Sequence, residues 1–161
     1  VGTTVGTTAR ARGETGRSLL ATGLVGVGVM AAIDEIVFHQ LLHWHHFYDR
    51  STPDTGLVSD GVLHAAELVV LVAGFMLFAE LRRAGTLAPR HALAGLLLGL
   101  GGFQLFDGLV DHKLLDVHEI RYGVDLLPYD LAWNGGALVL LLAGAAVLGR
   151  ARRLEGGAGP G

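Results

Sequence analysis

Apolar positions in this chain gather into four long runs. Leu19–Ile33 carries no charge until Asp34 and Glu35 interrupt it, and Ile36–Phe38 then resumes the run. Leu68–Ala79 is equally free of charge but follows Asp60, His64 and Glu67. Ala92–Phe106 is clean up to Asp107 and Asp111, and Leu131–Gly149 is clean throughout. A helix needs about 20 residues to cross a bilayer, so the first three spans must carry some of their polar residues with them. No run keeps the dyad alternation of a membrane barrel strand. The pattern predicts an all-α integral membrane four-helix bundle.

Composition agrees. Of 161 residues, 51% are hydrophobic and only 17% charged, and the mean hydropathy is +0.49, whereas a soluble domain carries roughly a quarter charged residues. The 25 glycines suit spanning helices, where glycine is common. A net charge of −3 gives no basic footprint for nucleic acid. Cysteine is absent, which excludes disulfides, iron–sulfur clusters and thiolate metal sites. Any metal must be held by nitrogen and oxygen.

Basic residues set an orientation. Nine of the twelve fall on one side of four alternating spans: Arg10, Arg12, Arg17, Arg82, Arg83, Arg90, Arg150, Arg152 and Arg153. Arg50, Lys113 and Arg121 fall on the other. The positive-inside rule then places both termini in the cytoplasm of a bacterial inner membrane. We expect a disordered segment over 1–17, a transmembrane domain over 18–150 (hairpins at about 18–83 and 90–150) and a disordered tail over 151–161. Of eight histidines, His39, His43, His45, His46, His64, His112 and His118 lie toward the outer side, and only His91 lies inside. Trp44, Tyr48, Tyr122, Tyr129 and Trp133 read as an interfacial aromatic belt.

The polar residues repeat. Asp34 to His45 laid on Asp107 to His118, an offset of 73, matches at six of twelve positions: Asp, Val, His, Leu, Leu and His. Asp60 meets Asp130, and His64 meets Asn134, at an offset of 70. The chain thus reads as two tandem hairpins related by a pseudo-two-fold axis along the membrane normal. At about 100° per residue, Glu35, His39, His43 and His46 share one helical stripe. Asp107, Asp111 and His118 share a second, and Asp60, His64 and Glu67 a third. Inward-facing carboxylates and imidazoles of this kind build metal sites in helical bundles. Each buried charge costs about 2.5–3.5 kcal/mol on insertion scales, so a cluster this dense calls for a ligand.

The motifs resemble a family of small bacterial predicted membrane proteins catalogued as domain of unknown function twenty-two forty-three. Its pattern ends span one in D-G-x-x-x-H-Q-x-L-x-W-H-H, opens span two with D-G-x-x-H and carries [ED]-G-x-x-D-H-x-x-L-x-x-H-H in span three. The matching residues are Asp34, His39, Gln40, Trp44, His45 and His46; Asp60, Gly61 and His64; and Asp107, Gly108, Asp111, His112 and His118. Glu35, His43 and Glu119 depart from the pattern, which weighs against Glu35 and His43 as primary ligands. The resemblance implies four helices around a polar centre and names no reaction.

Imidazole with carboxylate argues against magnesium and calcium. It favours copper, then non-haem iron, then zinc, with haem the weakest fit. We expect His39, His64, His112, His118, His45, His46, Asp107 and Asp111 to bind the metal at one shared, asymmetric centre. Asp34, Glu35, His43 and Asp60 serve as supporting groups or further ligands. Two functions follow: a membrane oxidoreductase acting on oxygen or a small lipophilic substrate, slightly favoured, or a metal carrier, sensor or metalloenzyme assembly factor. Partners are the lipid bilayer, with other membrane metalloenzyme subunits or further copies of the chain left open.

Overall fold

The computed structural model describes residues 2–157, with side chains from residue 13 onward. Among the described residues the fold is entirely helical. Four helices, α1 (Gly2–Asp34), α2 (Pro53–Arg83), α3 (Pro89–Phe106) and α4 (Leu127–Gly156), are joined by short connections. All four spans are long and apolar enough to cross a membrane. The helices run further than the sequence reading drew them: α1 extends back to Gly2 and α4 forward to Gly156. The remainder of the expected tail, 158–161, lies outside the described residues, as does residue 1.

Proline opens α2, α3 and α4, where its missing N–H and fixed φ cost nothing. The Thr52 side chain caps α2 by accepting from the Thr55 N–H. Across the molecule the order is α2-α1-α3-α4, and α2 touches neither α3 nor α4. The central pair approaches closely because glycine lines its seam. A Cβ on Gly26 would lie 2.8 Å from the Leu100 nitrogen, and one on Gly99 would strike the Gly23 carbonyl. The Thr22 hydroxyl fastens the same seam by donating to the Ala92 carbonyl at 2.6 Å. Small residues and hydroxyls of this kind replace hydrophobic driving force between helices in lipid. The outer helices turn Val58, Val62, Val69 and Met76, and Leu131, Val139 and Leu142, to the outside, a surface suited to acyl chains.

Helices α1 and α3 do not end as α-helices. Each widens into a π-helical turn, Glu35–Leu41 after α1 and Asp107–Leu114 after α3. Each wide turn is followed by one residue with left-handed backbone, His43 and Asp116, both at φ 51°. The closing hydrogen bonds correspond as well. Leu42 N–H donates to Val37 and Leu115 N–H to Val110; Trp44 N–H donates to Phe38 and Val117 N–H to Asp111. The left-handed residues and the closing hydrogen bonds all correspond at the offset of 73. π-Turns inside α-helices are rare and concentrate at functional sites.

Candidate metal centre

The π-turn hydrogen bond spans five residues, and five is the spacing of Asp34 to His39 and of Asp107 to His112. The wide turn therefore brings each pair together: His39 Nε2 lies 3.6 Å from Asp34 Oδ2, and His112 Nε2 lies 3.2 Å from Asp107 Oδ2. On an ordinary α-helix these pairs diverge, which is why the sequence stripes grouped Glu35 with His39 and left Asp34 and His112 aside.

Beyond each turn the chain doubles back and inserts one more imidazole. His45 Nδ1 donates to the Ile120 carbonyl at 2.9 Å, and His118 Nδ1 donates to the Phe47 carbonyl at 2.8 Å. Each connection thus anchors its histidine on the other. A carbonyl only accepts, so both rings carry their proton on Nδ1, and in the neutral ring Nε2 keeps its lone pair. The two rings stack at 4.5 Å with 7° between planes. His39 lies 4.5 Å from His45, and His112 lies 4.7 Å from His118, both edge-on.

The four imidazoles and their carboxylates are shut away from the surface, with His39 and His118 at 1% and 0% exposure. Nonetheless the Nε2 atoms of His39, His45, His112 and His118 are buried without any hydrogen-bond partner. An orphaned buried polar atom costs about 1–3 kcal/mol, and here four occur within one cluster of rings. Three sets of donor atoms lie within 4.8 Å of one another: His45, His112 and His118; Asp34, His39 and His45; and Glu35, His39 and Asp60. These groups could bind metal.

Electrostatics differ between the stacked rings. Burial, reinforced by the neighbouring His118 and His39, pushes His45 down to about 2, so it is neutral at every physiological pH. Burial also works to lower His118, but the Asp107 carboxylate, 3.6 Å from its Nε2, with the Phe47 carbonyl, outweighs it and raises its pKa.

The supporting shell is unequal. Around His39, Asp60 accepts from His39 Nδ1 at 3.2 Å, His46 Nδ1 at 2.6 Å and the Phe47 N–H at 2.7 Å. Glu35 Oε2 lies 2.7 Å from His39 Nδ1 but off the angle of a hydrogen bond, so Asp60 is the acceptor. The Gln40 amide donates to Glu35 Oε1 at 2.9 Å. On the other side Gly108 replaces Glu35, Asp130 pairs with Lys113 at 2.5 Å, and His112 Nδ1 is buried without a partner.

Placement of the remaining expected residues is mixed. Asp111 is buried in the second half but contributes to none of the three donor sets. His46 supports Asp60 and gives no ligand atom to them. His43 is exposed at the left-handed turn. His64 is not brought in: its side chain is 56% exposed on α2, with Nδ1 2.8 Å from Glu67 Oε1. His91 sits at the opposite end, 3.5 Å from Glu155. Three of the expected belt residues, Trp44, Tyr129 and Trp133, meet in one cluster with Phe38. Trp44 contacts Phe38 and Tyr129, Trp133 contacts Phe38, and the Arg121 guanidinium covers Trp44 at 4.7 Å. A cleft of about 350 Å³ lined by His43, His45, His46, Arg50 and Tyr122 opens beside the centre.

Four bilayer-length helices with buried histidine and aspartate at one end define a polytopic membrane protein with groups suited to a metal ion. The chain belongs to the family described as predicted membrane protein (DUF2243), whose model matches residues 21–151. No curated protein and no solved structure matches it.

Proposed function

We propose that this protein is a membrane metalloprotein holding a pair of transition-metal ions at its histidine end and using them in oxidoreductase chemistry. The observation that carries the reading is the set of four partnerless, buried Nε2 atoms within one cluster of imidazole rings. Six ligand groups are more than one four-coordinate ion takes. We assign Asp34, His39 and His45 to one ion, and to the other His112 and His118 with the adjacent Asp107, 3.2 and 3.6 Å from their Nε2 atoms. Each set supplies two imidazoles and one carboxylate, the donor combination of non-haem iron sites with open positions. That moves iron ahead of copper, with zinc third. Rings 4.5–6.0 Å apart favour bare ions over a porphyrin between them. The equivalences at offset 73 support two tandem hairpins about a pseudo-two-fold axis, with one ion per half.

When bound, such ions supply one-electron transfer and activation of dioxygen. This chain's own residues hold the rings. Ile120 and Phe47 carbonyls fix the tautomers of His45 and His118, while Asp60 orients His39 as carboxylates orient metal-bound imidazoles. Closure of the site supports a resident centre over a cargo ion, because a carrier must release its metal. The basic-residue asymmetry supports an outward-facing centre in a bacterial inner membrane, with cytoplasmic termini.

Metal analysis with optical and EPR spectra on protein purified without chelator tests the reading. We expect about two transition-metal equivalents per chain and an oxygen-sensitive, magnetically coupled signal. Metal-free protein that takes up no iron or copper on reconstitution overturns the site. A single redox-silent, exchangeable ion overturns the oxidoreductase and favours metal handling.

A further inference from the structure

His64 is the polar residue the centre leaves unused, and its position is costly. It lies eleven residues into the 31-residue α2, about 16 Å along the axis at about 1.5 Å per residue. A hydrocarbon layer of about 30 Å centred on that helix puts the ring about 8 Å inside the layer, beyond the reach of a short side chain to the headgroups. The face it shares is apolar: Leu57 and Leu68, on the same side of α2, are 60% and 59% exposed. Behind the ring, Glu67 Oε1 lies 2.8 Å from Nδ1. The Glu67 side chain is only 4% exposed, and its Oε2 is buried without a partner.

The equivalent residues in the second half, Asn134 and Ala137, carry neither imidazole nor carboxylate. The couple is therefore not required to build a hairpin of this kind.

We propose that His64 and Glu67 form a binding site, open to the bilayer, for a lipid-soluble phenol or hydroquinone. A carboxylate-backed imidazole is a strong acceptor for a weakly acidic hydroxyl, and only a molecule with an apolar body brings such a hydroxyl to this depth. The inference rests on the oxidoreductase reading, for which it names the substrate class, while the binding step itself needs no metal.

The test uses the full chain in phospholipid nanodiscs, irradiated with a 4-alkylphenol carrying a diazirine in its tail, or with a chain-matched alkanol carrying the same group. Mass spectrometry of the α2 peptide reads the label. We expect the phenol to label near His64, decylhydroquinone to compete, and both His64→Leu and Glu67→Gln to lower labelling about tenfold, as loss of a partner for a buried polar group predicts. Metal content of His64→Leu is expected to match the parent. Labelling that ignores both substitutions, or an alkanol that labels as strongly as the phenol, overturns the assignment. So does efficient disulfide dimerisation of His64→Cys in this cysteine-free chain at low protein-to-lipid ratio, which would make the couple a contact between copies. If metal is bound and His64-dependent labelling is absent, this inference fails alone; labelling without metal fails the centre and leaves the ligand site standing.

Discussion

Which nitrogen of each imidazole is free decides what these histidines can do. His45 and His118 spend Nδ1 on a carbonyl and His39 spends its own on Asp60, so in all three Nε2 is the atom left for a metal. Ala at His39, His45, His112 or His118 should therefore remove at least one of the two expected metal equivalents, measured by elemental analysis of monodisperse protein. His43→Ala and His91→Ala should leave the content unchanged. Loss of metal from either control would place ligands outside the four rings. Asp60→Asn keeps the shape but weakens the acceptor for His39, and should lower metal affinity roughly 10–100-fold without abolishing it. Titration with a competing chelator reads the change.

At the scale of elements, the seam and the π-turns make separate demands. A larger residue at Gly26 must push α1 off α3, whereas Gly102 has open space around it. Gly26→Leu should lower the thermal midpoint in detergent by several degrees and Gly102→Ala should not; equal midpoints would mean the seam is slack. Deleting Ile36 tests the wide turn. It shortens the Asp34–His39 spacing to that of an α-helix, and we expect unchanged far-UV circular dichroism with loss of metal. Four helices, their rough limits and the identities of the central histidines were legible in the sequence, because apolar runs of bilayer length have few other solutions. The faces were not. An angle of about 100° per residue holds only while the helix stays α, and nothing in Glu35–Leu41 announces that it widens. That one departure brings Asp34 against His39 and Asp107 against His112 and leaves Asp111 out of the donor sets, while His64, on the regular α2, faces outward.

For the whole molecule, the nine-to-three division of basic residues predicts sidedness. Cysteines introduced at Ser51 and Arg82 should react with an impermeant maleimide from opposite faces of the membrane, Ser51 from outside in intact cells. Reaction of both from outside would reverse the expected compartment of the centre. The lateral order α2-α1-α3-α4 also explains where lipid contact falls, since the flanking helices carry the exposed leucine, valine and methionine. The histidine end is held shut by contacts between its two connections. The Arg50 guanidinium binds Asp116, and the Asp49 N–H donates to the Val117 carbonyl at 3.0 Å.

The crossed anchoring of His45 on Ile120 and His118 on Phe47 has a consequence for biogenesis. A nascent chain that has threaded its first two spans owns Asp34, His39 and His45, but the carbonyl that fixes the tautomer of His45 has not yet been synthesised. Assembly of the ligand set therefore waits on the second half of the chain. A ribosome stalled after α2 would present a half-site with a freely turning imidazole, and a metal ion of the proposed centre would meet its complete ligand set only once the third span and the connection beyond it have been made.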